Sequence, residues 1–118
     1  MRLITIGLTT ILATLALASV TFAVTNANTL TGTVGPGFTI KLTQNGTPVK
    51  KLKAGKYTIK TADKAIDHNF HLKGPGVNVS TTVAFTGSKT FKITLKKGKY
   101  TYVCDPHASV MKGSFTIK

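Results

Sequence analysis

The chain has no glutamate, one cysteine and three acidic residues, Asp63, Asp67 and Asp105. Each shortage closes something off. A lone cysteine cannot make an internal disulfide, so Cys104 is buried, reactive or bound to a metal. No acid is placed by motif to orient a cysteine–histidine nucleophile, and no Gly-rich loop offers an oxyanion hole, which argues against a thiol enzyme. No internal repeat and no low-complexity segment interrupts the chain. Beyond the first two dozen residues, no stretch shows convincing helical periodicity.

What is present begins with a leader pattern. Met1 and Arg2 supply positive charge, residues 3–24 are almost wholly apolar, and the small residues Ala18, Ser19, Ala23 and Ala27 lie in or just after that run. This layout predicts a secretory signal peptide over residues 1–27, cut after Ala23 or Ala27. The alternative is an uncleaved membrane anchor, because the apolar run is long enough to span a bilayer. Either way, residues 28–118 are expected as one extracytoplasmic domain, secreted, periplasmic or at the cell surface.

Without Arg2, fifteen lysines face three aspartates, a net charge of +12. In a cytosolic protein that balance would suggest nucleic acid. An exported chain meets other anions, so the expected partners are an acidic redox protein or an anionic cell-surface component, and not nucleic acid. The lysines are spread along the chain, which favours a solvated basic surface over a dedicated patch. The domain is expected to be a monomer.

The periodicity is that of strands. Phe38, Ile40 and Leu42 alternate with Thr39, Lys41 and Thr43, and Asn45-Gly46 then signals a turn. The same alternation places Tyr57, Ile59 and Thr61 on one face, and likewise His68, Phe70 and Leu72. It recurs in Phe91, Ile93 and Leu95, in Tyr100, Tyr102 and Cys104, and in Phe115 and Ile117. Asp63–Ile66 carries a weak helical-turn signal, and residues 77–88 are the least decided. Seven or eight short strands, each with one apolar face, predict an all-β, single-domain β-sandwich.

The scarce residue types gather in two places. His68 lies near the start of one expected strand. Cys104, His107 and Met111 lie at the end of another and in the loop after it. Singly, each has an ordinary use: a buried thiol, a core-filling thioether, a satisfied histidine. Together, a thiolate, two imidazoles and a thioether make the donor set of a type 1 (blue) copper site. A strand-end Cys, a turn stiffened by Pro106 and a His three residues on can aim two side chains at one ion. Structural zinc suits the set less well, since tetrahedral zinc sites recruit a second thiolate or a harder ligand rather than Met.

The run Gly98-Lys99-Tyr100-Thr101-Tyr102-Val103-Cys104-Asp105-Pro106-His107 resembles the ligand segment of plastocyanin-like cupredoxins, Gly-x-Tyr-x-(aromatic)-x-Cys-x-Pro-His with a Met several residues on. His68-Asn69 resembles the upstream His-Asn pair of that family. The resemblance covers residues 38–118 and implies a Greek-key sandwich holding one copper ion. Its metal ligands would be His68, Cys104, His107 and Met111, with Asn69 bracing the Cys loop. It also implies one-electron transport by Cu(I)/Cu(II) cycling rather than enzymatic turnover, with a copper-binding or buffering role as the alternative. His71 competes with His68 for the upstream position. Strand alternation turns it to the opposite face, and the family's ligand is the His before Asn, so His68 is chosen.

Overall fold

The computed structural model describes residues 16–21 and 28–118. The expected leader, including both cut positions, lies outside the described residues apart from 16–21. Among the described residues no helix is long and apolar enough to cross a membrane.

The described residues form ten strands in chain order: β1 (Thr29–Val34), β2 (Ile40–Gln44), β3 (Thr47–Pro48), β4 (Lys51–Leu52), β5 (Gly55–Asp63), β6 (His71–Gly74), β7 (Val77–Ser80), β8 (Gly87–Leu95), β9 (Gly98–Val103) and β10 (Lys112–Ile117). They form two five-stranded sheets, ordered β3-β2-β1-β5-β8 and β4-β10-β9-β6-β7. The chain changes sheet after β3, β4, β5, β7 and β8. At those five crossings consecutive strands lie in opposite sheets, while β1–β2, β2–β3, β6–β7 and β9–β10 pair within one, as in a sandwich built on Greek-key connections. Leu30, Val34, Leu42 and Ile59 line one inner face, and Leu72, Tyr100, Phe115 and Ile117 the other, all buried.

Alternation drives this pairing. Along β5, Tyr57, Ile59, Thr61 and Asp63 point inward, while Lys56 and Lys60 point to solvent. Its antiparallel register with β8 sets Tyr57 against Ile93 and Ile59 against Phe91. The Asn45-Gly46 turn closes the β2–β3 hairpin with φ of 49° and 79°. Both values are left-handed, which is what a two-residue hairpin turn demands and what Asn and Gly tolerate.

Three expectations need correcting. Ten strands appear instead of seven or eight because β3 and β4 have two residues each, too short for a period to register. The strand expected to start at His68 starts at His71. His68, Asn69 and Phe70 are all buried in succession, which alternation forbids, because side-chain hydrogen bonds hold this segment instead of a ladder. Phe38 is not on a strand and is 65% exposed. The undecided stretch resolves into β7, a loop and the start of β8.

Tyr100 is the buried anchor of the sheet end remote from Cys104. Its ring stacks on Phe115 at 5.3 Å. Its hydroxyl accepts from the Lys96 N–H and donates to the Pro75 carbonyl, both at 2.9 Å. Tyr100→Phe is expected to cost about 1–3 kcal/mol of unfolding free energy, because it leaves those two backbone groups without their partner. Chemical denaturation checks this, and a midpoint equal to wild type would show that water replaces the hydroxyl.

Candidate metal centre

One end of the sandwich brings together residues from two segments 36 positions apart. Cys104 follows β9 directly. Its N–H donates to the Met111 carbonyl at 3.0 Å, one step beyond the last ladder pair, Val103 with Lys112. Cys104 and Met111 thus face each other across the mouth of the β9–β10 hairpin. Between them, Asp105–His107 forms a single 3-10 turn with Pro106 inside it. The His107 N–H donates to the Cys104 carbonyl at 3.0 Å, and the Met111 N–H to the His107 carbonyl at 2.8 Å. The loop is therefore wound on its own backbone, with the Cys and His side chains issuing from one turn.

His68 arrives from the segment between β5 and β6. Its Nδ1 lies 3.6 Å from Cys104 Sγ and 3.1 Å from His107 Nδ1, and the latter is 3.6 Å from the sulfur. The three donor atoms lie within 4.8 Å of one another. A first-row ion bonds thiolate sulfur at about 2.3 Å and imidazole nitrogen at about 2.0 Å, which sets ligands of one ion about 3.3–3.8 Å apart. Both sulfur–nitrogen separations fall in that range, and the nitrogen–nitrogen one lies just below it. His68 and Cys104 are buried and His107 is partly so. The Met111 side chain is fully buried in the same loop. His71 stays out of the cluster, paired with Asp105 instead.

Asn69 ties the two segments together. It accepts from the Asp105 N–H at 2.7 Å, and its amide donates to Asp105 Oδ2 at 2.7 Å and to the Thr81 carbonyl at 3.3 Å. Thr81 in turn receives the Phe70 N–H at 2.9 Å and donates to Asp63 Oδ2 at 3.4 Å. Burial pushes the Asp63 carboxyl up, against hydrogen bonds from Ala65 and Thr81. Burial also acts to raise Asp105, but hydrogen bonds from Asn69 and His71 and the charges of His71 and Lys73 outweigh it and hold the carboxyl below its ordinary range. The two acids therefore act oppositely on stability. Asp63 contributes at low pH and loses that contribution as pH rises through its raised value. Asp105 contributes above the usual carboxylate range and loses it as pH falls through its lowered value.

Two neighbours were not legible as site residues. Phe38 sets its ring edge against His107, with centroids 4.9 Å apart, and against His68 at 5.9 Å. Gly35, with φ of 72°, lies so close that a Cβ there would stand 3.0 Å from the His68 ring. The one local signal that could have drawn notice to Gly35 is the Gly35-Pro36 dipeptide, a general turn mark.

Residues 19–118 match the family model described as copper binding proteins, plastocyanin/azurin family. The chain belongs to this family. Among curated relatives of this cupredoxin is amicyanin-alpha of Methylorubrum extorquens, 35% identical over 75 residues. That match covers 61% of this chain and 62% of the relative, less than two thirds of its length. Among solved structures, reduced rusticyanin superposes with a TM-score of 0.58 at 22% identity, over 76% of this cupredoxin and 78% of that chain. A chain of a haem-copper terminal oxidase dimer superposes with a TM-score of 0.55 at 21% identity, over 76% of this chain and 63% of that one. At such identities the structural likenesses speak for the fold. The cofactor of this cupredoxin is copper, and the cluster of one thiolate and two imidazoles is the blue-copper donor set.

Proposed function

We propose that this cupredoxin is an exported one-electron carrier whose single type 1 copper would be held by His68, Cys104 and His107, with Met111 as the weak fourth ligand. The observation that carries the reading is the convergence of the three donors within 4.8 Å at one end of the fold. Copper bound there would cycle between Cu(I) and Cu(II), since a trigonal His2Cys set with a weak thioether suits both states. The protein's own part is to hold the donors still and dry. Burial of His68, Cys104 and Met111 excludes water, and the Asn69 brace fixes the turn.

His107 is the partly exposed donor, and the exposed Phe38 and Val110 lie beside it. This edge is the proposed route for electrons. The domain is residues 28–118, freed of its leader, acting as a monomer and not as an enzyme. Its net charge of +12 steers it toward an acidic redox partner. Voltammetry of the copper-loaded domain is expected to give a reversible one-electron wave, with fast self-exchange. Tight binding with slow, irreversible turnover would make it a copper buffer instead. Transfer to an acidic partner is expected to slow between 0.1 M and 1 M salt, as the screening length shrinks from about 10 Å to about 3 Å. Rates flat across that range would remove the steering.

A further inference from the structure

His71 is the one histidine outside the donor cluster, yet it is the most tightly held. Its Nδ1 lies 2.9 Å and 2.8 Å from the two carboxylate oxygens of Asp105, and its Nε2 lies 2.6 Å from Asn78 Oδ1. A ring fixed at both nitrogens cannot turn about its own axis. Asp105 is the residue between Cys104 and Pro106, inside the turn that ends at His107. Asn69 grips it at the backbone and at Oδ2, and His71 grips the carboxylate from β6. The hydrogen bonds form one continuous belt, from Asn78 on β7 through His71, Asp105, Asn69 and Thr81 to Asp63 at the end of β5. The Asn69 brace is what the family resemblance implies. His71 has no part in that resemblance.

The turn is three residues long and its φ at Pro106 is preset. Any swing of Asp105 is therefore passed to Cys104 on one side and His107 on the other. Without His71, the Asp105 carboxylate, already about half exposed, has water as its alternative partner. We infer that His71 is a positioning residue of the metal centre: by clamping Asp105 it keeps Cys104 and His107 aimed at His68 before any ion arrives. The inference deepens the proposed copper-carrier reading but does not need copper for its first test.

Two substitutions separate the two grips. An asparagine amide nitrogen reaches where Nδ1 does, so His71→Asn keeps a donor to Asp105 and loses Asn78. A glutamine amide nitrogen reaches where Nε2 does, so His71→Gln keeps the Asn78 side and loses Asp105. The first readout is amide hydrogen exchange on the metal-free full chain. The amides of His107, Val110 and Met111, all bonded within the turn, report on it. In His71→Gln they are expected to exchange about tenfold faster than wild type, the worth of one charge-assisted hydrogen bond, while β1 and β5 amides stay unchanged. In His71→Asn they are expected to stay near wild type. The second readout is electron self-exchange of the copper-loaded protein, expected slower in His71→Gln than in His71→Asn. Equal exchange in the two variants, or unchanged turn amides in His71→Gln, overturns the inference. If no variant takes up copper with a blue colour but the exchange difference holds, the clamp stands and the carrier reading falls.

Discussion

Cys104→Ser is expected to abolish the intense visible absorption of the copper-loaded protein outright. The colour of a blue-copper site comes from the thiolate bond, and this chain has no other thiol. Affinity falls with it. Substituting residues that merely orient a ligand costs about 10–100-fold, so losing the ligand itself costs more than about 100-fold. Serine nearly preserves the volume, so the metal-free fold is expected to survive with its melting temperature close to wild type. Met111→Leu provides the contrast. The thioether would be the weak ligand, so the colour is expected to stay while the reduction potential shifts. Absorption spectra and copper titrations of the two variants check both. A Cys104→Ser protein as blue as wild type would remove the copper site as described.

Asn69→Ala is expected to give the largest loss of stability from a single polar substitution, and to show it without copper. Asn69 is buried, and three hydrogen bonds go with its side chain. The Asp105 N–H and the Thr81 carbonyl are left without it, at about 1–3 kcal/mol each. A total of about 3 kcal/mol corresponds to a fall of about 10–25 °C in melting temperature for a domain of this size. Thermal unfolding of the metal-free protein measures it. A fall of only about 2 °C would mean that the two segments hold together without the brace.

Most of the scaffold and the heart of the site could be read from local pattern. The inward residues of β5, β9 and β10 alternate as expected, and Asn45-Gly46 marks its turn. Cys104, Pro106 and His107 lie within four positions, so their geometry is local and their spacing visible. What escaped depends on partners far along the chain. The segment 68–70 has strand-like alternation but is held by Thr81, Asp105 and Asn69 side chains at separations of 11 to 36 residues. No window of ten residues contains that information. Phe38 looks like a core residue by alternation, yet its place is against the two histidine rings. Asp105 and His71 each look like ordinary surface polar groups until β6 and the turn are brought side by side. Strand faces and the His-Asn pair both select His68 over His71, yet the strand that the first of these relies on begins only at His71. The donor cluster nevertheless contains His68, because the irregular segment before β6 turns it inward.

The complete burial of Cys104 has a consequence for how this protein ages. Its sulfur has no solvent exposure, so in the folded state it cannot meet a second chain or a soluble oxidant. Crosslinking through this thiol must wait for the Cys104–Met111 loop to open. The rate of oxidative dimer formation in air is thus scaled down by the fraction of molecules with that loop open, and shelf life depends on the free energy of a local opening as well as on the chemistry of the thiol.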